Sequence, residues 1–475
     1  MFSQPRARNR CTAAALAALA IGASLAHGTT RADQHIPDSS SIAHDGGAYR
    51  STYQRRHEDS TLIRNATVLD GHGRRFDKLD VLIRDGRIEA VGPGINEERA
   101  SRLIEAEGRW VTPGLIDPHS HNGTYSLPLS DDSFGDISEL STPIVADTWI
   151  EHAVNPQDPS FYRALTGGVT TLQILPGSAP LIGGRTVVVK PVRARTVFEM
   201  KFPDAPHGLK MACGENPKNY FGGKGAAPTS RQGEIAMLRN AFIDARVYLE
   251  KQHQDDPDGA PDKRDLGLST LAGVLTGDIR VHLHCYRASD IAVMLAVARE
   301  FGFGIAAVHH AAEAYKIPDL LAEQDVCAAV WSDWWGFKME ARDGIRENAA
   351  FVDAAGACVM MHSDSPFVGQ QLNIEAAKAM AAGNRAGVAI APERAIAWLT
   401  ANPARALGLD DRIGRIAPGY NADVVVWSGS PFSIYTHADQ VFIDGALHYD
   451  RYHRDEQSFS DVDLYRRKDV SSDDD

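Results

Sequence analysis

Four histidines and one aspartate carry the chemistry most readable in this 475-residue sequence. His119 and His121 close the apolar run Leu115–His121. Residues two apart on a strand face the same way, so the two imidazoles can grip one cation. His284 and His310 end two further apolar runs, and Asp364 lies just beyond another. Imidazoles with a carboxylate suit zinc or a similar divalent ion, as one or two ions. A lone histidine at a strand end is usually structural. Four at equivalent ends, with an aspartate, argue for a shared metal. Two register choices arise. His282 shares a face with His284 but lies deeper, which favours His284, whereas His309 and His310 should point to opposite faces of their strand.

A closed barrel is the element set that gathers such residues at one rim. From Val111 onward, short apolar runs alternate with amphipathic stretches. Candidate buried strands are Leu115–His121, Val169–Leu175, Thr186–Lys190, Leu209–Cys213, Val281–Cys285, Ile305–His310, Cys327–Trp331 and Cys358–His362. Helical patterns cover Glu234–Leu249, Ala288–Phe301 and Ala341–Ala354. Alternating strand and helix predicts a parallel sheet. About eight units over roughly 300 residues predict an α/β fold of the (β/α)₈ TIM-barrel type, with catalysis at the C-terminal strand ends. The third strand is the least determined, because the first crossovers are long and irregular.

The flanks have a different texture. Thr61–Asp70 and Leu79–Val91 alternate apolar and polar residues, with a hairpin signal at Asp85-Gly86. Similar runs return at Ala422–Trp427, Gln440–Ile443 and Ala446–Tyr449. We therefore expect residues 59–112 and 407–451 to form one small β-sandwich domain from both ends of the chain, around a barrel at 113–406. Residues 1–28 read as a signal peptide: Arg6, Arg8 and Arg10 precede the small, apolar run Cys11–Ala26, which is short for a bilayer span. Residues 29–58 read as a linker and 452–475 as an acidic tail. The mature chain is expected to be exported, periplasmic or secreted, without a membrane span.

VTPGLIDPHSH (Val111–His121), NPARALGLDDRIGRIAPGYNADVVVW (Asn402–Trp427) and TLIRNATVLDGHG (Thr61–Gly73) resemble signatures of the amidohydrolase superfamily. VHLHCY (Val281–Tyr286) and HAAEAYK (His310–Lys316) resemble its imidazolonepropionase-like branch, which includes metal-dependent prolidases. The resemblance implies that His119 and His121 bind a buried metal, His284 and His310 a second, and Asp364 the buried metal and the transferred proton. It selects His310 over His309. It also implies a bridging ligand on the fourth strand: a carboxylated Lys210, with Glu215 as rival. Bound in this way, two cations would acidify a shared water for attack on an amide carbonyl, with Asp364 as proton carrier. Tyr286 and Arg287 follow His284 and are candidates to meet a substrate carboxylate or oxyanion. Trp334, Trp335 and Lys338 either wall a pocket or pack. IGGR (Ile182–Arg185) and GENPK (Gly214–Lys218) read as tight loops near the mouth.

The expected activity is hydrolysis of a C–N bond in a small molecule: an amide, a dipeptide-like compound or a cyclic amide. Deamination of a heterocycle on one metal is the alternative, but HCYRASD lacks the acidic proton shuttle usual after the fifth-strand histidine. A relative that has lost catalysis and serves assembly is a third reading, opposed by the complete ligand set. The net charge of −13 disfavours nucleic acid as a partner. A homo-oligomer is compatible with the sequence. Cys213, Cys285, Cys327 and Cys358 are widely spaced without a CxxC pattern and read as buried free thiols.

Overall fold

The computed structural model describes residues 49–125, 127, 136–252 and 264–453. The signal segment, residues 29–48 of the linker and residues 454–475 of the tail lie outside the described residues. Among the described residues, no helix is long and apolar enough to cross a membrane.

One eight-stranded sheet runs in chain order through Leu115–Ser120, Val169–Ile174, Ile182–Val189, His207–Ala212, Ile279–His284, Ile305–His309, Cys327–Val330 and Val359–Met361. Its two edges approach each other. The Asp364 amide donates to the His119 carbonyl (2.9 Å), and the Ser363 amide donates to the Asp117 carboxylate (3.1 Å). The sheet is thus a nearly closed barrel. Strand alternation divides its side chains. His282 and His284 face inward, and Leu283 between them joins the apolar core beneath the helices. The helix Ala288–Phe301 covers that core with Ile291, Met294, Leu295, Ala298 and Phe301, buried at three- and four-residue spacing. It stops at Gly302, whose left-handed φ of 79° a β-carbon would oppose.

Four expectations need correction. The third strand is antiparallel to both neighbours, with Leu172 opposite Val189 and Gly184 opposite Lys210. Only residues 175–181 separate the second strand from the third, and a parallel crossover needs about a dozen or more. IGGR is the start of that strand rather than a loop. Gly184 has φ 95°, and a β-carbon there would meet the Thr148 carbonyl at 2.4 Å. GENPK opens a helix, Glu215–Gly222, with Gly214 as its N-cap. Finally, the four cysteines pair. Cys213–Cys285 joins the fourth and fifth strands and Cys327–Cys358 the seventh and eighth, with Cα separations of 5.3 and 4.4 Å. Register explains both bridges: Ala212 lies beside His284, and Ala328 beside Val359. Distant positions in sequence become neighbours on adjacent strands.

The second sheet interleaves both ends of the chain. Val424–Trp427 runs antiparallel to Trp110–Pro113, which pairs with Thr61–Leu69. Arg75–Arg84 and Arg87–Gly92 extend one side, and Ala438–Ile443 and Ala446–Asp450 the other. Ile63, Val68, Val81, Val111, Val424 and Phe442 form its own core. At the end of the third barrel strand, the fully buried Lys190 ammonium reaches Asp423 (3.2 Å) and Asp444 (3.1 Å) of this second sheet. Two carboxylates compensate the buried cation.

Candidate metal centre

The rim residues come from five of the eight strands. His119 and His121 end the first, Lys210 lies in the fourth, His284 ends the fifth, His310 follows the sixth and Asp364 follows the eighth. All but Asp364 are at most 6% exposed. His310 and Asp364 adopt left-handed φ values of 60° and 53°. Such backbone is costly for a side-chain-bearing residue and recurs where geometry serves function.

His121 gives the clearest electrostatic evidence. Its Nδ1 lies 2.8 Å from the Leu175 carbonyl, which can only accept, so Nδ1 carries the hydrogen. In the neutral ring, Nε2 then presents a lone pair to Asp364 Oδ1 at 3.0 Å. Two acceptors that close need a cation or a proton between them. His119 Nε2 lies 3.3 Å from the same carboxylate oxygen, and His310 Nδ1 lies 3.9 Å from Asp364 Oδ2. One ligand atom from each of His119, His121 and Asp364 falls within 4.8 Å of the others.

Further into the site, His284 packs against His310 with ring centroids 4.7 Å apart. Among the described residues, neither ring nitrogen of His284 has a hydrogen-bond partner, nor do His119 Nδ1 and His310 Nδ1. Buried polar atoms without partners are costly, and a bound cation would satisfy one nitrogen of a ring that ligates it. Burial holds the pKa values of His119, His284 and His310 well below the usual imidazole range, so their lone pairs are free. Burial also works to raise the Asp364 carboxyl. A proton between Asp364 and His121 Nε2, giving His121 a hydrogen to donate and a positive charge, outweighs this and keeps the carboxyl below the usual carboxylate range.

Lys210 points inward. Its ammonium donates to the Pro176 carbonyl (3.0 Å) and lies 3.3 Å from His119 Nε2. Burial pushes its pKa down to about 7. Glu215 contacts other partners: its amide donates to Glu340 (2.9 Å), and its carboxylate is 3.9 Å from the Lys338 ammonium. Tyr286 joins the site, its ring 4.8 Å from that of His284. Arg287 does not. It is exposed at the N-cap of the helix Ala288–Phe301, and its charge bears on Asp343. The Lys338 ammonium sits 4.1 Å above the Tyr286 ring and donates to Asn216 (2.8 Å). Trp331 stacks on His310 at 4.5 Å, and Trp334 on Trp331 at 5.0 Å. Trp335 borders the same recess but is 59% exposed.

The expected opposition of His309 and His310 fails. The strand ends at His309, and the left-handed turn at His310 breaks the two-residue alternation. Both rings therefore reach the interior, 4.7 and 4.6 Å from that of His119. His309 pairs with His282 (3.0 Å) in a deeper layer. Strand spacing also missed His362, which is fully buried with its ring 4.7 Å from that of His310. Its place two residues before Asp364 was the available signal.

A model of the amidohydrolase family matches residues 272–448. A solved amidohydrolase from Thermotoga maritima MSB8 is similar with a TM-score of 0.76 and 35% identity, over 82% of this chain and 100% of that one. The chain belongs to the amidohydrolase family. An imidazolonepropionase from Stenotrophomonas maltophilia (strain R551-3) is 26% identical over 76% of this chain and 88% of its own length, in keeping with the imidazolonepropionase-like branch. Amidohydrolase tasK from Hapsidospora irregularis is 31% identical over 434 residues, which are 82% of this chain. The match spans only 43% of tasK. This amidohydrolase thus carries its histidine rim on the barrel that its relatives share.

Proposed function

We propose that this amidohydrolase uses one or two divalent cations, zinc foremost, to hydrolyse a C–N bond of a small amide, dipeptide-like or cyclic-amide substrate. The observation that carries the proposal is the His121 lone pair directed at the Asp364 carboxylate among buried imidazoles without partners. His119, His121 and Asp364 would hold one cation, and His284 and His310 the other. Lys210 would bridge them as a carbamate, for which its depressed pKa leaves a neutral amine available. When bound, zinc supplies a water that ionises near neutral pH and a Lewis acid for the scissile carbonyl.

The chain's own groups do the rest. Asp364, held ionised, takes a proton from the nucleophile and returns it to the leaving nitrogen. Tyr286, kept protonated chiefly by burial, offers a hydroxyl to substrate oxygen. The stacked Trp331 and Trp334 exclude water on the His310 side. Export would provide oxidising surroundings, and the two disulfides support that reading.

The test is a dipeptide and N-acyl amino acid library assayed with metal analysis of the same sample. Turnover that tracks metal content and releases an amine is expected. Release of free ammonia from a heterocycle would transfer the activity to deamination. Metal-free protein with full turnover would overturn the proposal.

A further inference from the structure

His362 has no part in the chemistry above, yet it lies within it. It follows the eighth strand, is fully buried, and stands two residues before Asp364. Its ring lies 5.2 Å from that of His119, 4.7 Å from that of His310 and 4.9 Å from Trp331. Neither of its nitrogens has a hydrogen-bond partner among the described residues. Were His362 only filling space against Trp331, an apolar ring would do so without leaving two buried polar atoms unmet.

The donors are arranged for an ion. One ligand atom from each of His119, His310 and His362 lies within 4.8 Å of the others, and all three side chains are buried. A second such group joins His119 to His121 and Asp364. The two triads share His119 and otherwise use different side chains, so His362 belongs with His310 rather than with His121.

Building on the metal reading above, we propose that His362 is a metal-binding residue that joins His310 in holding the second divalent cation. The rim then draws on five imidazoles: His119, His121, His284, His310 and His362. With imidazole nitrogen donors in the majority, the second position favours zinc, cobalt or nickel over magnesium or calcium.

The test uses the full chain, stripped with chelator and titrated with Co²⁺. The visible cobalt spectrum and calorimetry follow uptake in wild type, His362→Phe and His362→Gln. In both variants the weaker-binding equivalent should lose affinity at least about tenfold, or about 1.4 kcal/mol, and the tighter one should be unchanged. X-ray absorption of the cobalt protein should show fewer imidazole scatterers. Thermal unfolding guards against a packing explanation: the metal-free melting temperature of at least one variant should match wild type, and its cobalt-induced rise should shrink. An unchanged titration and spectrum in a folded variant overturns the role of His362 and leaves the metal reading intact. A wild type that takes up no cobalt overturns both.

Discussion

The burial of Lys210 can be turned into a measurable slope. Its Nζ is enclosed by the Pro176 carbonyl and His119 Nε2, and burial lowers its pKa from 10.5 to about 7. In the unfolded chain the amine titrates near 10.5. Between pH 7 and 10.5 the unfolded chain therefore holds one proton more than the folded protein. Stability of the metal-free, carbonate-free protein should fall as pH drops through that window, by ~1.4 kcal/mol per pH unit. Below pH 7 the whole penalty, roughly 5 kcal/mol, is in force. Lys210→Met keeps the buried stem and removes the charge. It forfeits the bond to the Pro176 carbonyl, at about 1 kcal/mol. The variant should thus exceed wild type in stability by ~4 kcal/mol at pH 7, with the gap closed at pH ~10 and the order reversed above it. Urea unfolding of both proteins at several pH values, after chelation and in carbonate-free buffer, measures it. With metal restored the order should reverse, because methionine cannot be carbamylated. A gap that does not change with pH, or a variant less stable at pH 7, would refute the assignment of a buried, charge-penalised lysine.

Three further outcomes follow from named contacts. His121→Ala should leave a folded protein, lose the cation shared with His119 and Asp364, and lower turnover on the order of a thousandfold, about 4 kcal/mol of barrier; elemental analysis beside the activity assay checks it, and full activity would contradict the site. Lys190→Met should destabilise the protein by roughly 3–5 kcal/mol, because Asp423 and Asp444 stay buried without their cation; denaturant unfolding with circular dichroism reads this. Replacing Cys327 and Cys358 with alanine removes a cross-link between positions 31 apart, which chain entropy values at about 4 kcal/mol; unfolding of the double variant should show a loss of that order, and reductant should then affect it less than wild type.

The sequence reading succeeded where one local rule controlled the outcome. Apolar runs alternating with amphipathic stretches located all eight barrel strands, and the helix Ala288–Phe301 emerged with the predicted bounds because its buried positions keep helical spacing up to Gly302. It failed where the decisive relation was between strands. Cys213 and Cys285 meet only because Ala212 and His284 are in register, a pairing that nothing local to either cysteine records. The third strand's reversal was hidden because IGGR reads as a tight loop, which delays the strand to Thr186 and lengthens a connection that the structure limits to residues 175–181. His309 and His362 show the deeper limit. Two-residue alternation tells which side chains face inward only while the backbone stays extended, and the rim lies where it stops being so. A left-handed residue at His310 sends two consecutive imidazoles into one interior. The same break that makes a strand end hard to read lets it crowd several donors around one point, so the register rule is weakest where the chemistry is concentrated.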